Sequence, residues 1–114
     1  MRNFFSSTHK TILPEPHIGA EKALDIGREL ALLNNYYWDS ATATVRLTSQ
    51  FFNKRCWDVM PGYAPKEWVE QELDENPTRI LIDAETGMFA GLAFTRHIES
   101  AEQLVGRNFK LMQR

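Results

Sequence analysis

Cysteine is almost absent from this sequence, which also lacks a long apolar run and an excess of charge of either sign. The single cysteine, Cys56, excludes an internal disulfide and is typical of a reducing compartment. No segment approaches the roughly 20 apolar residues of a membrane span. The opening MRNFFSSTHK holds one apolar pair rather than the apolar core of a signal peptide. From these features we expect a cytoplasmic protein without membrane contact.

Neither acidic nor basic residues dominate, and the formal net charge is −2. A general nucleic-acid binder normally shows a basic excess or stripe, so this balance disfavours one. The charge is nevertheless uneven along the chain. Residues 64–86 hold seven acidic against two basic residues, and residues 87–114 hold two acidic against four basic ones. Such asymmetry can steer a protein of complementary charge, including a second copy of this chain.

Glycine-rich loops and paired metal ligands are also missing. The six glycines stand singly, without the Gly-Lys-Ser/Thr element of a phosphate-binding loop. His9, His17 and His97 are the only imidazoles, and they lack the compact spacing that a zinc site requires of its ligands. We therefore expect neither a metal ion nor another cofactor.

The length of 114 residues suits one ordinary hydrophobic core, and 43% of the residues are apolar. Pro14 and Pro16 disfavour a helix near the start of the chain because they fix φ and bias their predecessors toward extended backbone. We predict an extended N-terminal arm over residues 1–18 and a single α+β domain over residues 19–114.

The clearest periodicity predicts a long helix over about residues 19–37. Apolar residues recur there at spacings of three and four, which places them on one face: Ala23, Ile26, Leu30, Leu33 and Tyr37. Charged residues lie mostly on the opposite face. We expect this helix to be the element on which the rest of the domain packs.

Residues 41–60 support two interpretations. Alternation of apolar and polar residues in ATATVRLT, with frequent β-branched side chains, favours a strand over about 41–48. Apolar residues at helical spacing suit one long helix instead, capped by Asp39 or Ser40. We favour the strand, followed by a helix over about 49–59.

The remaining segments predict a small, mainly antiparallel sheet with shorter helices. A helix should follow Pro65, within KEWVEQEL. RILIDAETGMFAGLAFTRHI reads as a β-hairpin over about 79–97, which we place at the centre of the sheet. Ser100 can cap a short helix that ends at Gly106, and the tail from residue 108 would form an edge strand. The predicted class is α+β.

Aromatic side chains make up 11% of the sequence and are concentrated in NYYWDS and around Trp57. Tyr37 continues the apolar helix face, which predicts a largely buried ring, whereas Tyr36 points about 100° away from it. Tyr36, Trp38 and Trp57, with Tyr63 in the turn that follows, would form one exposed patch, the usual anchor of a protein partner. Our leading hypothesis is a non-enzymatic accessory, regulatory or inhibitory protein that binds another protein, or itself as a homodimer.

Single-stranded nucleic acid is the alternative partner. Residues 41–63 hold three basic residues, Arg46, Lys54 and Arg55, and only one acidic residue, Asp58. Aromatic rings nearby in the sequence would stack on bases. The missing basic excess of the whole chain weighs against this hypothesis.

A third hypothesis is a cysteine-dependent enzyme. Cys56 would be the nucleophile, with His97 as base and Asp58 or Asp83 orienting it, and Lys54 and Arg55 would favour the thiolate. Cys56 also falls on an apolar stripe, where cysteine usually acts as a small buried hydrophobic residue. No local signature of a catalytic cysteine surrounds it, so we expect no enzyme.

Overall fold

The computed structural model describes residues 15–63 and 76–112, and these form a five-stranded antiparallel sheet with two helices. Each strand pairs with the next one in the chain, in the order β1-β2-β3-β4-β5. The elements are α1 (Ala20–Leu33), β1 (Thr44–Phe51), β2 (Lys54–Met60), β3 (Arg79–Asp83), β4 (Phe89–Ala93), β5 (Ile98–Ser100) and α2 (Ala101–Val105). The predicted α+β class with a mainly antiparallel sheet is confirmed.

Helix α1 has 14 residues and ends four residues before the predicted boundary at Tyr37. Asn35 takes a left-handed conformation with φ of 61°. The N–H of Asn35 donates to the carbonyl of Leu32, and the N–H of Tyr36 donates to that of Ala31. These two bonds form a Schellman motif, which satisfies the last carbonyls of the helix and turns the chain away. The predicted long helix was therefore wrong at its C-terminal end.

Residues 44–60 form a β-hairpin, so the predicted helix over 49–59 was wrong. Strands β1 and β2 pair from Thr44 opposite Met60 to Phe51 opposite Lys54. Phe52 and Asn53 between them have φ of 59° and 55°. A two-residue loop with both residues left-handed matches the twist of the flanking strands. The helical spacing of apolar residues in this segment was coincidental. The turn was not predicted because the loop lacks the glycine that usually marks such a turn.

The hairpin predicted over 79–97 exists as β3 and β4, and β3 is the middle strand of the sheet. In the turn, the Asp83 carboxylate accepts hydrogen bonds from the amides of Glu85 and Thr86. Burial alone would raise the pKa of Asp83, but these amides and Lys54 together hold it below its ordinary value. The return strand stops at Ala93, and the short strand β5 was not predicted.

Helix α1 packs on one side of the sheet, which we call the α1 face. A Cβ at Gly27 would lie only 2.7 Å from Cγ1 of Val59, so α1 approaches β2 as closely as a glycine permits. The core on this face joins α1 to the three inner strands through buried aliphatic side chains: Ile26, Leu30, Ala31, Val59, Ile80, Ile82 and Leu92. Helix α1 thus packs on one face of the sheet, whereas α2 packs on β4 and β5.

Side chains that alternate away from α1 occupy the opposite face of the sheet. Cys56, Asp58 and Leu81 are fully buried there. A Cβ at Gly91 would lie 2.6 Å from Cζ of Phe52 and 2.5 Å from the carbonyl oxygen of Glu99. The close neighbours of Gly91 are therefore an aromatic ring and a strand backbone.

The C-terminal helix α2 begins as predicted. The Ser100 side chain accepts from the amide of Gln103, and the Gln103 side chain accepts from the amide of Ser100, forming a capping box. Residues 108–112 form no strand, contrary to expectation. The predicted arm up to residue 14 and the predicted helix after Pro65 lie outside the described residues. None of the described helices has the length and apolar character needed to cross a membrane.

Candidate functional site

The predicted aromatic patch of Tyr36, Trp38, Trp57 and Tyr63 does not form one exposed surface. Tyr36 is half-buried and stacks on Phe109, with 6.4 Å between ring centroids. Its pKa is raised, mainly by burial and also by the Glu99 carboxylate. The ring of Tyr36 therefore belongs to the edge of the core.

The two tryptophans are also half-buried and pack against the core. The indole N–H of Trp57 donates to the carbonyl of Ile18 at 2.8 Å, and that of Trp38 donates to the Ser40 hydroxyl at 3.0 Å. Tyr63 is different because it is 77% exposed. Partner binding by these four residues stays a prediction, and Tyr63 is the member most accessible to a partner.

The basic residues of the nucleic-acid hypothesis each have a carboxylate partner. Nε of Arg46 lies 3.1 Å from Asp58 Oδ2, and Nζ of Lys54 lies 3.3 Å from Asp83 Oδ2. Arg55 pairs with Glu85. Because each positive charge is balanced locally, their attraction for a phosphate backbone is reduced. Nucleic-acid binding stays a prediction that the geometry does not strengthen.

Asp58 is the centre of a charged cluster that the sequence did not predict. Its side chain is fully buried, and Oδ2 contacts both Arg46 and Nη1 of Arg79, the latter at 3.3 Å. Oδ1 has no hydrogen-bond partner among the described residues. The guanidinium carbon of Arg79 also lies 6.0 Å from the centre of the Phe51 ring. A buried carboxylate requires compensation, so the two arginines neutralise Asp58 and do not form an open anion site.

Cys56 has no exposed surface, and the other members of the proposed catalytic set are engaged elsewhere. Burial and the nearby Asp83 carboxylate raise the pKa of its thiol, which disfavours the nucleophilic thiolate. His97 stacks on Phe94 and places Nε2 2.8 Å from Oε2 of Glu99. The burial of Cys56 and the engagement of His97 with Phe94 and Glu99 favour a structural role for Cys56.

We expect Cys56 to react with a thiol reagent at least about 100-fold more slowly in the folded protein than in denaturant, because reaction requires local opening. The rate of absorbance change with dithionitrobenzoate measures this difference. Labelling in native buffer as fast as in denaturant would contradict the structural role and restore the enzyme hypothesis.

The outer edge of β1 is the feature that sequence reasoning missed. Among the described residues no strand pairs with that edge, since β1 is terminal in the sheet order. Leu47 in the middle of the strand is 41% exposed, and Arg46 is the only charged residue between Thr44 and Phe51. Strand alternation in ATATVRLT was recognised, but alternation carries no information about which strand lies at an edge.

No group of three or more His, Cys, Asp or Glu side chains within 15–63 and 76–112 is arranged to hold a metal ion. Comparisons with protein-family models, curated proteins and solved structures gave no significant match.

Proposed function

We propose that this chain is a non-enzymatic protein-interaction module that forms a homodimer by pairing the β1 edges of two copies. The observation that carries the proposal is the open outer edge of β1 among the described residues. An edge strand presents backbone N–H and C=O groups that can bond to another strand. The β1 edge is defined here as Thr44–Thr48, the part in regular register with β2.

The composition of the β1 edge supports pairing. Natural sheets often protect open edges with proline or lysine, and the strand TVRLTSQF contains neither. Its one charged residue, Arg46, is paired with Asp58 of the neighbouring strand, and the irregular register with β2 begins only after Thr48. Leu47 adds an apolar side chain that a partner strand would cover.

The β1 edge is also self-complementary in an antiparallel arrangement. A two-fold axis perpendicular to the sheet through Leu47 keeps both faces continuous and pairs Leu47 with its own copy. Arg46 then lies opposite Thr48, so no like charges meet across the interface. The result would be one continuous sheet shared by two copies.

The burial of Cys56 supports a role in binding rather than catalysis. The ion pairs of Arg46, Lys54 and Arg55 support a protein partner rather than nucleic acid. Within the proposal the dimer is an accessory or regulatory protein of the cytoplasm. Tyr63, which is exposed beyond the end of β2, is the proposed contact for any further protein.

The test is sedimentation velocity over a range of protein concentrations. A short strand pairing is a small interface, so we expect a monomer–dimer equilibrium with a dissociation constant in the micromolar range, about 1–100 μM. Leu47→Lys places two ammonium groups opposite each other and should weaken the dimer at least about tenfold.

Leu33→Lys is the matched control. The exposed fraction of Leu33, 39%, is similar to that of Leu47, but Leu33 lies at the end of α1 and not on the β1 edge. It should dimerise as the unchanged protein does. A monomer at every concentration, or equal weakening by both substitutions, would contradict the proposed pairing. Thermal melts would confirm that both variants are folded.

A further inference from the structure

A second surface feature, separate from the β1 edge, is a pocket between α1 and the turn that joins β3 to β4. It encloses about 360 Å³, within the usual range of roughly 300–1,000 Å³ for small-molecule sites. Its floor is formed by Ile26 and Leu30 of α1, both buried, and by the half-buried ring of Phe89. We call this site the α1 pocket.

The rim of the α1 pocket is apolar on one side. Met88 and Leu111 line it and are 69% and 45% exposed. Large exposed apolar side chains beside a concave apolar floor are unfavourable in water unless something covers them. An apolar ligand chain would remove both side chains and the floor from water together.

Two polar groups line the same pocket, Lys22 of α1 and Thr86 of the turn. No described residue forms an ion pair with Lys22, so its ammonium group is able to meet a ligand anion. Oγ1 of Thr86 accepts from the amide of Met88, which leaves the hydroxyl proton for a ligand oxygen. A few polar groups beside an apolar floor fix the orientation of a bound molecule.

We propose that the α1 pocket binds a single-chain amphiphile with an anionic head group, of the fatty-acid type. The chain lies over Ile26, Leu30 and Phe89, and the head group meets Lys22 and Thr86. The assignment combines the apolar floor with the position of a cation at its border, and it is independent of dimer formation.

The experiment is calorimetric titration of the full chain with decanoate, and with decanol as its neutral analogue. We expect one decanoate site per chain. Lys22→Gln should weaken decanoate about fivefold, the upper range for one exposed charge pair, and change decanol less than about twofold. Leu111→Trp, which fills the rim, should weaken both ligands.

Arg28→Gln is the matched control, because it removes a cation from the exposed side of the same helix outside the pocket lining. It should leave decanoate binding unchanged. The proposal is overturned if neither ligand binds, if Lys22→Gln weakens both ligands equally, or if Arg28→Gln has the same effect as Lys22→Gln.

A membrane lipid could present the same chemistry, so a vesicle arm separates the two sources. The protein should not sediment with phosphatidylglycerol vesicles at concentrations that bind decanoate, and sedimentation that requires Lys22 would overturn the assignment to a free amphiphile. Leu47→Lys should bind decanoate normally. Failure of the dimer proposal and failure of the pocket proposal are therefore distinguishable.

Discussion

Removing both Arg46 and Arg79 is expected to destabilise the fold by about 3–5 kcal/mol, the range for leaving a buried charge without a partner. Asp58 is fully buried and its Oδ2 contacts both guanidinium groups, while Oδ1 has no hydrogen bond within the described residues. With both arginines replaced by methionine, the carboxylate would be left buried and uncompensated.

The single substitutions should have much smaller effects. Arg46 is 58% exposed, so solvent screens its interaction, and Arg79 remains to balance Asp58 when Arg46 is lost. We expect about 1 kcal/mol for each single variant and a double variant well beyond their sum. Such non-additivity is the signature of two groups that share one partner.

Urea denaturation of the two single variants and the double variant measures these energies. The control is Arg107→Met, which breaks an ion pair with Glu99 outside the cluster and should cost less than about 1 kcal/mol. Adding Asp58→Leu to the double variant should recover most of the loss, since an apolar residue needs no compensation there. Additive losses, or no recovery by leucine, would contradict the role assigned to the buried charge.

Replacing Gly91 by alanine is expected to destabilise the protein by about 3 kcal/mol, at the upper end of overpacking. The new Cβ would lie 2.5 Å from the carbonyl oxygen of Glu99 and 2.6 Å from the ring of Phe52. The ring can move, but the carbonyl belongs to β5, which pairs with β4 at Gly91 and Ser100. Relief would therefore require β4 and β5 to separate.

Thermal and urea denaturation of Gly91→Ala test this expectation. Gly106→Ala is the control, because the φ of −74° at Gly106 suits alanine, and a Cβ there would lie no closer than 3.9 Å to its nearest neighbour, the carbonyl oxygen of Gln103. It should change stability by less than about 0.5 kcal/mol. Phe52→Ala should cost less in the Gly91→Ala background than alone. Gly91→Ala as stable as the unchanged protein would show that β4 and β5 are not packed in this way.

Sequence reasoning succeeded where local chemistry decides the structure. Ser100 and Gln103 form a complete capping box within four residues, and the spacing of Ala23, Ile26 and Leu30 is sufficient to define a helix face. The left-handed conformation of Asn35, which ends the helix, was not predicted. A Schellman motif with asparagine is less conspicuous than one with glycine.

Sequence reasoning failed where strand order and tertiary contacts determine the structure. Phe52 and Asn53 form a two-residue loop that their residue types do not predict. The β1–β2 hairpin was therefore predicted as a strand and a helix. The indole N–H of Trp57 donates to the Ile18 carbonyl, 39 residues away in the chain. Periodicity indicates which residues share one face of a helix or strand, but it does not indicate which other element packs against that face.

The most direct test of dimerisation through the β1 edge is sedimentation velocity of Leu47→Lys and Leu47→Glu, each alone and mixed in equal amounts. Each variant alone places like charges on the two-fold axis, whereas the mixture pairs opposite charges there. We predict that both variants sediment as monomers and that the mixture recovers the dimer. A mixture that remains monomeric while the unchanged protein dimerises would contradict pairing at Leu47.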